Sequence, residues 1–458
     1  MSCKWVRPWR PDSHKTASGK PGAVHILVLL RGSVLRWSSG TAKSRLIRLI
    51  FVEQFVYPDG WGGAQLPRDL TAHLARAGFE VEVVCGREPY VALEGDPGPS
   101  PAEEGVRFRY VPRLLPGEDV HRHKLLRQLW FYLAAVPLVG LRRSPALFIA
   151  QTNPPLVVVL VALISMLHRT PLMIVAMDLY PEVIFAHGLA REDSRLGRLL
   201  EALFRFAYRR AAIVVALGPT MRERLEDKGV AASRIVEISN WATGDLSVVR
   251  GADNRLRQEW GLEGACVLLY SGNLGVAHEV ESVVRAFAEA LPRCPRLRLV
   301  FVAKGQGVAI ARELVERLGV QSSVQFHDLV PTDRLPESLG LADVALVTLR
   351  PGFEGLVVPS KLLGCMARGL PTVYVGPPSD AAALLERSGG GVSFGIGAVS
   401  ELAQFFVESG LDGSALRSMG QDARAYYERE LSREVALAHY REAVERATSG
   451  RRPGSGED

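Results

Sequence analysis

The sequence predicts an α/β protein built from two successive doubly wound domains, each with a parallel sheet between layers of helices. A hydrophobic run over residues 46–55 is typical of a buried strand. A turn with three glycines, an amphipathic helix and a second strand over 79–85 follow it. The order of strand, glycine turn and helix begins again at residue 267. With 458 residues, 47% of them hydrophobic, the chain is long enough for two domains with separate cores.

The formal net charge of +6 comes from the first part of the chain. Ten of the first 48 residues are Lys or Arg and one is acidic, a local charge of +9 that leaves −3 for the remainder. We therefore expect no nucleic-acid partner, since such partners require a basic surface. Five cysteines without a CxxC spacing predict reduced thiols, a cytoplasmic location and no metal site.

Periodicity and composition divide the chain into six segments. Residues 1–44 are basic and lack sustained periodicity, which predicts either disorder or sequence upstream of the true start codon. The predicted segments are a disordered basic leader over 1–44, an N-terminal domain over 45–240, an interdomain linker over 241–264, a C-terminal domain over 265–425, a helix over 426–448 that returns to the N-terminal domain, and a disordered tail over 449–458.

The segment over 121–143 has basic ends and a central set of large apolar residues, Leu125, Leu126, Leu129, Trp130 and Leu133. The pattern is typical of an amphipathic helix that lies on an anionic membrane. It is equally typical of a core helix with solvated ends. The sequence leaves both interpretations open.

The stretch over 353–372 predicts a phosphate site. Ser360 is a good N-cap for the helix that follows, and Lys361 falls in the first turn of that helix. A cation at the positive end of a helix is unfavourable unless an anion binds there, whereas backbone N–H groups, a serine and a lysine together suit a phosphate. The alternative is an ordinary helix start, because Ser-Lys is common at this position.

Two carboxylates follow the strand predicted over 172–177. Asp178 and Glu182 lie just past its C-terminal end, the side of a doubly wound sheet that binds ligands. The alternative is structural: Asp178 would accept hydrogen bonds from backbone amides, and Glu182 would cap the next helix. Two domains that each have a glycine turn, without the GKS or GKT signature of a phosphate-binding NTPase, predict a cleft that traps a nucleotide-containing ligand.

Six motifs occur in the order found in a known enzyme family. They are YPDGWGGAQ, DLYPE, YSGNLG, FVAKGQG, VQFHDLVP and PSKLLGCMARGLP, and the resemblance that they carry covers about residues 46–448. Together they resemble family 4 of the retaining GT-B glycosyltransferases, most closely the bacterial subgroup that builds O-antigen, capsule and colanic acid-like polysaccharides. The resemblance implies the GT-B fold, in which two Rossmann-like doubly wound domains face each other across a cleft.

The resemblance also implies a reaction. A sugar would pass, with retention of configuration, from a UDP- or GDP-sugar to a lipid-linked saccharide. The enzyme would be cytoplasmic and bound peripherally to the anionic inner leaflet. The family needs no metal or other cofactor, because amides and cations stabilise the departing diphosphate. Asp178 and Glu182 are then candidates to bind or deprotonate the acceptor hydroxyl, and Lys361 is the candidate to stabilise the diphosphate.

Matching motifs place the donor on both domains. The implied donor-binding residues are Gly62, Gly63, Ser271, Gly272, Asn273, Lys304, His327, Leu329, Glu354, Ser360 and Leu362. Three positions depart from the family pattern. Asn273 stands where an arginine grips the diphosphate, Gly364 replaces the second of two glutamates, and Thr152-Asn153 replaces a histidine near the donor sugar. Lys361, with Lys304, must then supply the positive charge.

Two further functions fit the same fold. A nucleotide-sugar 2-epimerase shares the architecture but needs no membrane-facing helix, so residues 121–143 and the Pro-Ser-Lys sequence argue against it. A catalytically inactive nucleotide-sugar-binding scaffold subunit would explain the missing glutamates. The two glycine turns, Ser360-Lys361 and the carboxylates argue against that alternative.

Overall fold

A computed structural model describes residues 47–56, 62–86, 105–112, 124–140, 145–356, 360–411 and 413–449. The predicted leader over 1–44, Gly60 of the first glycine turn, Arg122, Pro359 and the tail from residue 450 onward lie outside these residues.

The first part of the described chain forms a parallel sheet with helices on both faces. Its strands are β1 (Arg48–Val52), β2 (Glu80–Cys85), β3 (Val106–Tyr110), β4 (Leu147–Gln151), β5 (Leu172–Val175), β6 (Ile213–Ala216) and β7 (Ile235–Glu237). Its helices are α1 (Gly62–Arg76), α2 (Lys124–Gly140), α3 (Val157–Leu167), α4 (Glu182–Ala186), α5 (Arg195–Arg210) and α6 (Pro219–Asp227). The strand order is β3-β2-β1-β4-β5-β6-β7.

The second part repeats this architecture. Its strands are β8 (Cys266–Asn273), β9 (Leu297–Lys304), β10 (Val324–His327), β11 (Val344–Thr348), β12 (Thr372–Val375) and β13 (Gly391–Phe394), in the order β10-β9-β8-β11-β12-β13. Its helices are α7 (Arg255–Glu259), α8 (Glu281–Ala290), α9 (Gly307–Arg317), α10 (Leu335–Gly340), α11 (Ser360–Ala367), α12 (Asp380–Ser388), α13 (Val399–Leu411), α14 (Ser414–Tyr426), the π-helical segment Tyr427–Leu431 and α15 (Arg433–Thr448). Short 3-10 segments cover Ala232–Arg234, Gly251–Asp253, Gln321–Ser323 and Thr332–Arg334.

The strand order reverses once in each sheet, between β1 and β4 and between β8 and β11. Chain connections leave in opposite directions at such a point, so a crevice opens at the C-terminal ends of these strands. The two crevices provide the walls of the cleft between the domains.

Strand β1 is buried on both faces, which explains why its sequence is a continuous apolar run. Ile50 and Val52 pack into one core with α2, α3 and α5, whereas Leu49 and Phe51 pack into a second core with α1 and α15. Because helices cover both faces of this parallel sheet, successive residues are buried and the alternation of a half-exposed strand is absent.

The last helix, α15, packs on the N-terminal domain although it follows the C-terminal sheet. Leu437 and Tyr440 are buried in the core beside α1. Arg433 also pairs with Asp69 of α1, with Nε–Oδ2 and Nη2–Oδ1 distances of 2.8 and 2.9 Å. The chain therefore crosses the interdomain seam a second time.

The structure differs from the sequence predictions mainly at sheet edges and in the linker. Strands β3, β7 and β13 were not predicted, and all three are edge strands, where short length and polar residues weaken the signal. The predicted linker is structured at both ends. Trp241 belongs to the N-terminal core, and α7 packs its Leu256 beneath the second sheet. The domain limits stay predictions.

Candidate active site

The cleft between the two sheets contains a cavity of about 550 Å³. One wall is formed where β1, β4, β5 and β6 end, the other by the end of β8 and one face of α11, and the linker closes one side. The polar and glycine residues of the lining include Glu53, Gln151, Asn153, Asp178, Ser271, Gly272, Ser360, Lys361 and Arg368.

Lys361 stands in the first turn of α11 and reaches across to β8. Its Nζ lies 2.9 Å from the backbone oxygen of Asn273, 3.0 Å from the hydroxyl of Tyr270 and 5.0 Å from the centre of the Tyr270 ring. His278 contacts the same ammonium group, with its Nε2 3.2 Å from Nζ of Lys361. Its Nδ1 lies 2.9 Å from the backbone oxygen of Thr348. Because a carbonyl oxygen only accepts, Nδ1 carries the ring proton and Nε2 accepts from Lys361.

These contacts leave the positive charge of Lys361 uncompensated. Burial lowers the pKa of Lys361 to about 8. Burial and the charge of Lys361 lower the pKa of His278 to about 4, so the imidazole is neutral at pH 7. Among the described residues, the groups that contact Nζ are all neutral. A partly buried cation at a helix N-terminus is an arrangement that an anion stabilises.

Gly272 makes room for the lysine. Its φ is +118°, a conformation that residues with a β-carbon rarely adopt. A β-carbon at this position would also lie 2.7 Å from Cε of Lys361. The glycine is therefore required both by the backbone at the end of β8 and by the path of the Lys361 side chain.

Asp178 lies on the opposite wall, just after β5. It is half-buried, and its backbone N–H donates to the Thr152 hydroxyl at 3.2 Å. Burial raises the pKa of Asp178 to about 6, although nearby His187 acts in the opposite direction. No backbone amide of the described residues donates to its carboxylate within hydrogen-bond distance. The structural alternative considered for Asp178 therefore has no support, and the carboxylate faces the cavity.

Glu182 does not share this position, which argues against its predicted catalytic role. Its carboxylate pairs with Nζ of Lys228, and Lys228 also binds Glu201 at 2.8 Å. Lys228 is almost completely buried, so it requires these two carboxylates. Glu182 falls in the first turn of α4 and is not among the cavity-lining residues, because that turn directs it toward α5 and α6.

The predicted donor residues divide into two groups. Ser271, Gly272 and Ser360 line the cavity beside Lys361, and Asn273 contributes its backbone oxygen. The sequence predicts a glycine turn over 271–275. Residues 271–273 instead pair with β9, so β8 ends three residues later than predicted. The donor contacts themselves stay predictions.

The second group lies away from the cavity or is engaged elsewhere. Lys304 is exposed at the end of β9, and Leu362 of α11 is buried in the core of the C-terminal domain. His327 stacks on Trp260 with ring centres 3.6 Å apart, and Glu354 Oε2 accepts from the N–H of Gly352 at 2.8 Å. Leu329 is also outside the lining, and Gly62 and Gly63 open α1.

Sequence reasoning missed two charged residues of the cavity. Glu53 follows β1 and is 1% exposed; the signal that could have found it is the one that identified Asp178, an acid directly after a buried strand. Arg368, which follows α11, donates to the backbone oxygens of Gly364 at 3.0 Å and Asp245 at 2.5 Å and so ties the helix to the linker. Nothing in its sequence neighbourhood indicates this contact.

Comparison with known proteins identifies the N-terminal part of the chain. Residues 62–241 match the profile of the glycosyl transferase 4-like domain. This part of the chain is similar to a glycosyltransferase domain. The resemblance to family 4 glycosyltransferases and the prediction of a transferase enzyme are thereby confirmed.

Two relatives are named as bacterial glycosyltransferases. The probable glycosyltransferase WbjE of Pseudomonas aeruginosa is 28% identical over 291 residues, which cover 63% of this chain and 71% of WbjE. The putative colanic acid biosynthesis glycosyl transferase WcaI of Escherichia coli K12 is 30% identical over 199 residues, which cover 42% of this chain and 48% of WcaI. The match thus spans less than half the length of WcaI.

Solved structures confirm the fold. Anabaena HepE in complex with UDP matches with a TM-score of 0.64 at 18% identity, covering 87% of this chain and 100% of HepE. WaaG, a glycosyltransferase involved in lipopolysaccharide biosynthesis, matches with a TM-score of 0.62 at 17% identity, covering 88% of this chain and 100% of WaaG. The GT-B fold predicted from the sequence is correct, and at these identities the likeness concerns the fold alone.

Proposed function

We propose that this protein is a retaining glycosyltransferase that moves a sugar from a UDP-sugar to a lipid-linked saccharide during synthesis of a bacterial cell-surface polysaccharide. The observation that carries the proposal is the pair of opposed groups in the cleft. The uncompensated cation Lys361 stands at the start of α11, and the carboxyl group of Asp178 faces it from the other wall. UDP is preferred to GDP because the structural neighbour HepE was solved with UDP and with UDP-glucose.

The donor diphosphate would bind where α11 begins. Lys361 would leave the oxygens of Asn273 and Tyr270, or share its three protons with them, and contact the phosphate oxygens. A charge-assisted hydrogen bond of this kind contributes about 1.5–3 kcal/mol, and more as charge grows on the leaving diphosphate. We propose that the backbone amides of α11 and the Lys361 ammonium stabilise the leaving diphosphate without a metal ion.

The acceptor hydroxyl would approach from the wall that carries Asp178. With a pKa of about 6, this carboxyl group is mostly ionised at neutral pH and accepts a hydrogen bond from the hydroxyl. In transfer with retention the departing diphosphate takes the hydroxyl proton on the face that it leaves. Asp178 therefore orients the nucleophile, and Lys361 stabilises the leaving group.

The lipid-linked acceptor requires a membrane-facing surface, and we propose that α2, α3 and α5 provide it. Helix α2 buries Phe131, Ala135 and Val139 in the core but exposes its other face. We call this exposed set the leucine face; it consists of Leu126, Leu129 and Leu133 of α2, Met166 and Leu167 of α3, and Leu196 and Leu199 of α5. Helix α3 packs against both α2 and α5.

Basic side chains lie next to exposed apolar side chains on the leucine face. Arg195 and Arg198 are exposed beside the α5 leucines, which suits an anionic bilayer surface. Trp130, which the sequence included in the docking set, instead donates its ring N–H to the backbone oxygen of Pro112 at 2.7 Å. In the described part of the chain, no helix is long and apolar enough to cross a bilayer.

Product analysis separates this proposal from its two alternatives. The purified protein is incubated with UDP-glucose, UDP-galactose, UDP-N-acetylglucosamine or GDP-mannose, with farnesyl diphosphate-linked N-acetylglucosamine as acceptor. We expect release of UDP and a glycoside whose anomeric configuration, measured by NMR, matches that of the donor. Conversion of the donor sugar to its 2-epimer would support the epimerase, and nucleotide-sugar binding without turnover would support the scaffold subunit.

A further inference from the structure

Three glutamates of the described chain are less than a tenth exposed, and two have evident structural partners. Glu82 on β2 pairs with Arg48 and Arg109. Glu279 Oε1 accepts the N–H of Ser282 at 2.9 Å and so caps α8. Its Oε2, like that of Glu53, has no hydrogen-bond partner among the described residues, but unlike Glu53 this residue does not line the cavity. Both are buried carboxyl groups that the fold itself uses.

The third, Glu53, is contacted by the backbone N–H groups of the residues that follow it, and among the described residues it pairs with no cation. Its side chain is 1% exposed, Oε1 lies 3.4 Å from the backbone nitrogen of Phe55, and Oε2 has no hydrogen-bond partner among the described residues. The backbone of Glu53 is fixed, because its N–H continues the β1–β2 ladder by donating to Val84 at 3.1 Å. A buried polar atom left without a partner is destabilising, so a ligand is the natural partner for Oε2.

Glu53 lies in a row of polar groups along the cavity wall. It follows β1, Gln151 ends β4, and Asp178 follows β5, three neighbouring strands of the sheet. Adjacent strands are about 4.8 Å apart, so the row spans roughly 10 Å, the size of a sugar ring with its hydroxyls. Lys361 and α11 lie on the other wall, so the row is on the acceptor side.

We propose that Glu53 is an acceptor-positioning residue, whose carboxyl group hydrogen-bonds a hydroxyl of the sugar that receives the transferred unit. This inference rests on the proposed function. Burial raises the pKa of Glu53 well above its ordinary value, so the group is available as a neutral acid that both donates and accepts. A sugar hydroxyl matches both roles, which an anion or a purely apolar ligand does not.

The test compares two Glu53 variants with a matched buried glutamate. Glu53→Met keeps the volume and removes the hydrogen-bonding atoms, whereas Glu53→Gln keeps a donor and an acceptor. With UDP-glucose and farnesyl diphosphate-linked N-acetylglucosamine, we expect Glu53→Met to raise the acceptor KM about tenfold, and Glu53→Gln to stay near wild type. Neither variant should change the dissociation constant of UDP.

Stability provides a readout that does not depend on the acceptor. We expect Glu53→Met to unfold at or above the wild-type temperature, because an unpaired buried carboxyl group is replaced by an apolar one. The control Glu82→Gln should unfold at a lower temperature, since two arginines lose their anion, and should leave the acceptor KM unchanged.

Two results would overturn the inference. One is an acceptor KM of Glu53→Met equal to that of wild type; the other is a loss of thermal stability as large as that of Glu82→Gln. Failure of the proposed function looks different, because the wild-type protein would then neither bind UDP nor turn over UDP-glucose. In that case the unfolding temperatures still decide whether Glu53 is structural.

Discussion

Asp380 of the C-terminal domain accepts hydrogen bonds from the backbone N–H and the hydroxyl of Thr220 in the N-terminal domain, at 3.1 and 2.6 Å. Thr220 lies in the first turn of α6, whose N-cap residue is Gly218 and has no side chain to offer. A β-carbon on Gly218 would lie 2.5 Å from Oδ2 of Asp380. The cap of α6 is therefore supplied by the other domain, and it forms a fixed contact beside the cleft.

This interdomain cap leads to the first prediction. Asp380→Ala should lower the free energy of unfolding by about 0.5–2 kcal/mol, the usual cost of losing an N-cap. Asp380→Asn keeps an oxygen acceptor at the same place and should lose less. Denaturant titration of both variants measures the difference. Equal stabilities of the Ala and Asn variants would show that the contact contributes nothing.

The second prediction concerns Gly272. Gly272→Ala should weaken UDP binding on the order of tenfold, because the new methyl group would displace the Lys361 side chain. Gly78→Ala is the control, since Gly78 also has a positive φ, +93°, but open space around it. Both variants should lose stability from backbone strain. If calorimetry gives Gly272→Ala the UDP affinity of wild type, the close packing of Gly272 on Lys361 does not matter for the donor.

The third prediction is a pH dependence that belongs to Asp178. Its pKa is raised to about 6, so transfer should rise with pH through that value as the carboxylate forms. Asp178→Asn should transfer more slowly and lack this acidic limb. Initial rates between about pH 5 and 8 measure both effects. Glu182→Gln is the control and should keep the wild-type pH profile.

The raised pKa of Asp178 also makes folding stability depend on pH, and stability should fall with rising pH where the transfer rate should increase. The folded state holds the proton of Asp178 up to about pH 6, whereas the unfolded state releases it near the ordinary aspartate pKa of 3.8. The folded state thus binds more protons in this window, and the contribution of Asp178 to stability falls as pH rises from about 4 to 6. Asp178→Asn should remove that decline. An unchanged slope of stability against pH would contradict the raised pKa.

The fourth prediction tests the leucine face. Leu129 and Leu133 are 55% and 69% exposed, so changing both to Glu should leave the unfolding temperature nearly unchanged. It should release the protein from vesicles that contain anionic phosphatidylglycerol, because it removes apolar area and adds repulsion. Ile310→Glu is the control, an exposed apolar residue of the C-terminal domain. Sedimentation equal to wild type would instead favour a surface with no role at the membrane.

Much of the fold could be predicted from the sequence because central strands carry strong signals. β1, β4 and β5 are buried on both faces and read as continuous apolar runs between glycine turns and helices. Edge strands carry less of this signal, and β3, with its sequence VRFRY, was missed for that reason. Helix α7 within the predicted linker was not predicted, because it has only five residues, too few for a clear period.

The parts of the candidate site that could be predicted are the charged residues at a helix start or just after a buried strand. Lys361 was identified because a cation at a helix start is unfavourable without an anion, and Asp178 because an acid just past a strand lies on the ligand-binding side of a doubly wound sheet. Glu182 fits the same sequence pattern, but its partner Lys228 is 46 positions away, and only the folded chain shows the pair. The isolation of Glu53 is likewise a property of the three-dimensional structure, since no sequence pattern reports a missing partner.

The central claim is that Lys361 is the main cation on the donor diphosphate. The most direct test is the transfer rate of Lys361→Met, which keeps the side-chain stem and removes the charge, with Lys304→Met as control because Lys304 is exposed and outside the cavity. We expect Lys361→Met to lose about ten- to several-hundred-fold in kcat/KM with little change in unfolding temperature, while Lys304→Met stays near wild type. A Lys361→Met protein with near-wild-type transfer would contradict it, and a loss confined to Lys304→Met would place the diphosphate at the end of β9.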